Sequence, residues 1–357
     1  MATLLKNLYS KVFIEKLSNN LQTNYKDFKK DEFKKAIFTN SWENFELKQR
    51  MRHIAKTLYQ FLPFSYKEQI DILKRVKQDF KGLKAMIFQD FVEVYGLDDF
   101  EVSMEALEVF TIDSSSEFAI RQFILKYEDE TIKRMKLWAK SQNEHIRRLA
   151  SEGSRPRLPW AIALPKYKEN PEKVFKIIEL LKNDSSKYVQ KSVANSLNDI
   201  SKDNPNLVIN FLKNNLKISK ELDWICKHGS RTLLKAGNEE TLELFGLKKA
   251  NHIAILDFNF NKNVNLEDYL NFSFELNSEK NIGKIRVEYA IYYLKSNQNY
   301  FKKVFMISQN EIKSNSKIFV KKQIIKDMTT RKNYKGKHFI SLVINGEEFI
   351  KKEFYLI

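Results

Sequence analysis

One cysteine, Cys226, in 357 residues leaves no partner for an internal disulfide and no cysteine cage for a metal. The five histidines are scattered, with no pair at metal-site spacing and no zinc-protease helix motif. No apolar run reaches the roughly 18 residues of a membrane span. The first residues lead into an amphipathic stretch containing Glu15, which is not the apolar centre of a signal peptide. These absences describe an intracellular chain in a reducing compartment, with no cysteine cage, no histidine metal motif and no membrane-spanning run.

Positive charge is abundant: 62 Lys and Arg stand against 45 Asp and Glu, a formal net charge of +17. That balance favours a polyanionic partner. Lysine-rich composition from an AT-rich genome produces the same balance, so charge alone does not decide. Apolar content is an ordinary 43 %, enough for a folded chain. The length exceeds one typical core and suits two domains or a repeat array.

Residues 1–87 read as helices with polar joints. Leu47, Met51, Ile54, Ala55 and Leu58 form one apolar stripe, predicting a helix over 46–61 that Leu62-Pro63 stops. Another is expected over 66–80. His53 reads as a packed or capping histidine, since no second ligand lies at helical spacing. Residues 89–117 hold nine acids and no Lys or Arg, and all of these acids except the last, Glu117, read as an outer helix face that phosphate would repel.

From about 115 to 247 the sequence echoes itself. Aligned on Ile120, Ile146, Val189 and Ile225, short helices each carry an apolar residue followed closely by a basic one. Irregular repeats of this length predict a HEAT-like α-solenoid over residues 1–247, stacked on a continuous core. Equivalent positions line one face, so Arg121, Arg147, Arg148, Lys191, Lys227 and Arg231 are expected along a basic groove.

Beyond residue 248 the period changes to two. Seven alternating runs (253–260, 270–276, 285–293, 302–307, 318–325, 338–344 and 348–357) predict a small immunoglobulin-like β-sandwich over 251–357. Asn345-Gly346 is a strong hairpin signal. Residues 313–337 carry nine bases against one acid, Asp327. They read either as a solubilising surface or as a phosphate clamp made by Arg331, Lys332 and Lys335.

The stretch 145–160 combines a short helix, two prolines, Arg155, Arg157 and Trp160. Proline cannot continue the helix, so a rigid loop should follow Gly153, with Trp160 opening the next helix. Such a loop suits an anionic partner, with Arg155 and Arg157 as phosphate grips. Three further side chains lie in or beside the repeats: Glu117 after a serine run, Trp160, and Asp199 late on the helix containing Val189. Singly, these read as a capping residue, a core aromatic and a helix-end turn acid.

Together, Ser115-Ser116-Glu117, the Arg147–Trp160 loop and Val189 through Asp199 resemble the AlkC DNA alkylation repair glycosylases. That family belongs to the HEAT-like superfamily that also contains AlkD. Residues 45–54 and 231–234 are also similar to it, and the β-rich tail matches its subgroup with an immunoglobulin-like domain. The resemblance implies catalytic roles for Glu117, Trp160 and Asp199. It also implies hydrolytic excision of 3-methyladenine and 3-methylcytosine from duplex DNA, with no cofactor or metal. The enzyme would be a monofunctional, monomeric protein of the bacterial cytoplasm. A non-catalytic HEAT scaffold and an RNA-binding adaptor share the fold and charge but do not need those three residues together.

Overall fold

The structure, a computed structural model, describes residues 4–328 and 331–357. The chain divides into two units. One runs up to Val208 and includes Asn215–Gly229; the other comprises Ile209–Asn214 and Ser230–Ile357. Sixteen α-helices precede eight β-strands among the described residues, a helical-repeat region followed by an immunoglobulin-like one.

In the helical unit local chemistry sets the helix ends. Leu47–Phe61 begins with a reciprocal capping box between Glu46 and Gln49. Tyr66–Val76 ends four residues short of the expected 80, in a 3₁₀ turn at Lys77–Asp79. His53 caps its neighbour: Nε2 lies 3.0 Å from the Ile37 carbonyl at the end of Lys30–Ile37. The acid-rich stretch folds as Met86–Tyr95 and Phe100–Thr111. Its expected solvated face has an exception in Asp90, which is buried and gripped by Arg52 at 2.7 and 2.9 Å.

The four aligned positions Ile120, Ile146, Val189 and Ile225 are all buried, so the sequence echo marks core positions. Helix Glu144–Gly153 packs on Lys187–Ile200, which packs on Lys220–Gly229. Small residues permit the close approach. Ser151 Oγ donates to Ser192 Oγ at 2.5 Å, and a Cβ on Gly229 would meet Leu197 at 2.9 Å. Asn143 and Ser186 cap the first two of these helices through side-chain oxygens.

The strands are β1 (Ala254–Phe260), β2 (Asn263–Val264), β3 (Tyr269–Asn277), β4 (Gly283–Leu294), β5 (Tyr300–Ile312), β6 (Ser316–Ile324), β7 (Gly336–Ile344) and β8 (Glu347–Leu356). They form a sheet ordered β1-β3-β6 and another ordered β2-β8-β7-β4-β5. The unexpected eighth strand is β2, two residues paired parallel to β8. Between the sheets, Phe272, Phe274, Val287, Ile291, Leu342 and Phe354 share one core. Asn345 and Gly346, at φ of 47° and 82°, make the tight β7–β8 turn. The short helices Arg231–Lys235 and Glu239–Leu244 group with this unit.

Candidate active site

A ladder of alternating charge connects two of the three expected site residues. Glu117 lies in the turn before Ile120–Lys126, and its Oε2 accepts from Ser115 Oγ at 2.6 Å and Arg148 Nη1 at 2.8 Å. Arg148 stacks over the Tyr188 ring at 4.6 Å and reaches Glu152 one turn on at 3.6 Å. Glu152 Oε1 accepts from Arg155 Nη1 at 2.6 Å, and Arg155 Nε donates to Asp199 Oδ2 at 2.8 Å. Lys202 Nζ closes the series on Asp199 Oδ1 at 3.3 Å. Three carboxylates and two guanidiniums thus run from the turn at 117 to the end of helix Lys187–Ile200.

Burial makes this geometry stiff. Glu152, Arg155 and Asp199 side chains are 6, 8 and 3 % exposed, so each charge depends on its neighbours for solvation. Burial works against the Arg148 charge, but Glu117 and Glu152 outweigh it and hold its pKa above the ordinary value. Burial likewise opposes Arg155, and Glu152 and Asp199 overcome it. Glu117 Oε1 accepts no hydrogen bond among the described residues, so one carboxylate oxygen still has open lone pairs.

Trp160 departs from its expected place. It lies in a turn, five residues before helix Pro165–Glu169, at a left-handed φ of 66°. Pro159 precedes it, and its side chain is 60 % exposed rather than a core aromatic. Two cations hold this loop. Lys48 donates to the Trp160 carbonyl at 2.7 Å while lying 5.0 Å over Phe118, the neighbour of Glu117.

The second cation is Arg121, and here the groove expectation is corrected. Arg121 is wholly buried and donates to the carbonyls of Ile162, Gly153 and Arg155 at 2.6, 3.0 and 2.8 Å. Burial, helped by Arg155, pulls its pKa down to about 10 against the pull of Asp199, Glu117 and Glu152. A side chain so enclosed fastens the proline loop and cannot meet a phosphate. Arg155 is corrected for the same reason: it is buried between two carboxylates and is no phosphate grip.

The other expected contacts separate by environment. Arg147 is clamped bidentately to Asp184 at 2.6 and 3.0 Å and donates to two carbonyls, a structural brace. Arg157 pairs with Asp203 in a more open setting. Lys191, Lys227, Lys332 and Lys335 are exposed, whereas Arg231 and Arg331 are half-buried.

Reading the sequence alone missed Glu152. The signal was present: Arg148 and Glu152 stand at i and i+4 on one face of helix Glu144–Gly153, and Arg155 follows three residues on, just past its end. Lys202, three residues after Asp199, carried the same kind of signal. Lys48 carried none, because it meets the loop across 112 residues of chain. Among the described residues no group of three metal-ligating side chains converges, and no helix is long and apolar enough to cross a membrane.

Known families agree with this architecture. Residues 108–235 match the family model of the DNA alkylation repair enzyme, and residues 255–357 match that of the C-terminal Ig-like domain of the uncharacterised protein YhaZ. The chain belongs to the DNA alkylation repair glycosylase family, in the group that carries the YhaZ-type Ig-like domain. It is 43 % identical over 345 residues to the uncharacterized protein YhaZ of Bacillus subtilis (strain 168), covering 96 % of each chain. It is also similar to a solved structure, the Pseudomonas fluorescens alkylpurine DNA glycosylase AlkC bound to DNA containing an abasic site analog. That match has a TM-score of 0.95 at 35 % identity and covers 99 % of this chain and 100 % of the other.

Proposed function

We propose that this chain is a monofunctional, monomeric DNA glycosylase of the bacterial cytoplasm. It hydrolyses the N-glycosidic bond of cationic N3-alkylated bases, 3-methyladenine and 3-methylcytosine, in duplex DNA, without metal or cofactor. The observation that carries this reading is the ladder, which holds Glu117 and Asp199 as the two ends of one buried charge network.

The chemistry follows from the residue types. An N3-methylated base is already cationic and a good leaving group, so little general-acid help is needed. As the bond breaks, positive charge develops on the deoxyribose. Preorganised carboxylates stabilise that charge in a water-poor site with little reorganisation. Asp199 positions the attacking water and takes up its proton. The exposed face of Trp160 packs on the sugar and favours the cation through its quadrupole. Arg148 and Arg155 are positioning residues that offset the repulsion between the carboxylates and fix their separation.

Phosphate contacts fall to Arg157, Lys191, Lys227 and Arg231 in 1–247, and to Arg331, Lys332 and Lys335 in 251–357. An array of surface cations suits gripping a backbone, and binding should therefore be salt-dependent.

The test is release of methylated base from methylated duplex DNA, with strands cut only after alkali. Asp199→Asn should lower single-turnover release by about 10²–10³-fold, the range for removing one preorganised transition-state group. Glu117→Gln should also impair it. Full release by both variants, or none by the native chain, would sink the reading.

A further inference from the structure

A second concave site lies wholly within the β-unit, where β4 ends, β5 begins and the loop before β7 folds over them. The cavity is about 580 Å³, within the roughly 300–1,000 Å³ of small-ligand sites. Phe301 and Tyr334 wall it, and Lys295, Lys303, Arg331 and Lys332 supply its charge. No Asp or Glu lines it, and none of these four cations has a salt-bridge partner among the described residues.

That differs from the ladder of the helical unit, where Arg148 and Arg155 are paired with acids. Arg331 lies 3.9 Å over the Tyr293 ring, and its Nε is buried without a hydrogen-bond acceptor among the described residues. A buried guanidinium N–H without a partner is costly unless a ligand supplies one. Lys303 is crowded: burial first, then Arg331 and Lys235, lower its pKa. An incoming anion would relieve that repulsion.

The walls add a second requirement. Phe301 and Tyr334 are exposed aromatics at the rim of a cationic pocket. Stacking on such rings needs the face of a base, which a paired and stacked duplex does not offer. Phosphate for the cations and a free base face for the rings together define one chemical unit.

We propose that this pocket seats a single unpaired nucleotide, with its phosphate on Arg331 and Lys303 and its base against Phe301 or Tyr334. The inference rests on reading the chain as a DNA-binding enzyme, yet it can fail independently. It gives the β-unit a preference for DNA carrying an unstacked nucleotide or a free strand end over an intact duplex.

Calorimetric titration of the full chain with dTMP, thymidine and inorganic phosphate tests it. The expected result is one saturable dTMP site, at least about tenfold tighter than either fragment alone. Arg331→Ala should weaken it about tenfold or more, the loss of a charge-assisted bond. Phe301→Ala should weaken it about fivefold or more, the loss of a stacking face. Arg331→Lys should fall between native and Ala, and Lys321→Ala on β6 should match native. dTMP no tighter than phosphate, or equal losses in Arg331→Ala and Lys321→Ala, overturns the proposal. Base release without saturable dTMP binding defeats the pocket alone. Saturable binding without base release defeats the glycosylase reading alone.

Discussion

The ladder of the helical unit and the cationic pocket of the β-unit use arginine in opposite ways, while Arg286 elsewhere in the β-unit is buried against Glu288 and behaves like the ladder. In the helical unit Arg148 and Arg155 are enclosed between Glu117, Glu152 and Asp199, and Arg121 has three carbonyl acceptors. In the β-unit Arg331 has an aromatic ring beneath it and cations beside it, with no acid in the pocket. A compensated guanidinium fixes geometry, because its donors are held by neighbouring acceptors and have little left to give a ligand. Uncompensated charge binds, because its missing partner must come from outside. A count of basic residues therefore says little about contact until each cation's acceptor is known.

The sharpest way to break this comparison is at Glu152, the middle of the ladder. Glu152→Gln removes the charge between the half-buried Arg148 and the buried Arg155 guanidinium. Breaking one partner from a buried ion network costs about 3 kcal/mol of stability, read from urea unfolding. Base release should fall about tenfold or more through kcat, with KM for DNA little changed. It should be non-additive with Asp199→Asn, since both changes act through Arg155. A pure KM effect would mean that Glu152 touches DNA instead of positioning Asp199.

Arg121 gives the next largest effect. Arg121→Met keeps much of the volume but leaves three loop carbonyls without their donor, at about 1–3 kcal/mol of stability. The proline loop should loosen, and Trp160 fluorescence should shift relative to the native chain. The salt slope of DNA binding should remain as it was. A flatter slope would return Arg121 to the groove.

The β-unit predicts the reverse pattern. Neutralising Arg331, Lys332 and Lys335 together should flatten the log–log salt dependence of duplex binding by up to about 2.7 units, near 0.9 per phosphate contact. Arg148→Gln, whose charge faces Glu117 and Glu152, should leave that slope within about half a unit. Equal slopes in the two variants would erase the distinction between holding and binding.

Much of this fold is legible in the sequence. Period three-to-four gave way to period two near residue 248, and the Asn345-Gly346 turn fell where expected. The echo at Ile120, Ile146, Val189 and Ile225 located buried positions correctly. The partners of the neighbouring arginines were harder to see. Arg121 and Arg147 follow the same kind of apolar residue, yet one binds carbonyls 32 to 41 residues away and the other binds Asp184. Repeat position predicts which side a residue faces only when no distant chain segment covers it. The proline loop covers Arg121, and local pattern carries no trace of that. Trp160 illustrates the same limit, since its left-handed backbone and its tie to Lys48 depend on a helix more than a hundred residues earlier.

The smallest expected effect tests how the β-unit is tied together without charge. His338 is buried: its Nδ1 accepts from the Leu294 amide at 3.3 Å and its Nε2 lies 2.9 Å from the Tyr334 carbonyl. Those contacts require the neutral ring with its proton on Nε2, and burial accordingly lowers the His338 pKa below 6.5. In the unfolded chain the ring keeps its ordinary value, so the unfolded state binds more protons as pH falls. Stability should therefore be complete above about pH 6.5 and decline as pH drops towards the lower folded value. Protonated Nδ1 would also point an N–H at the Leu294 amide, loosening the link between β4 and the Tyr334 loop. Unfolding monitored through the β-unit should show this decline between pH 7 and 5, and His338→Gln should remove it. An equal decline in His338→Gln would assign the acid sensitivity to carboxylate pairs instead, and the contrast between a neutral tie and an ionic ladder would fail there.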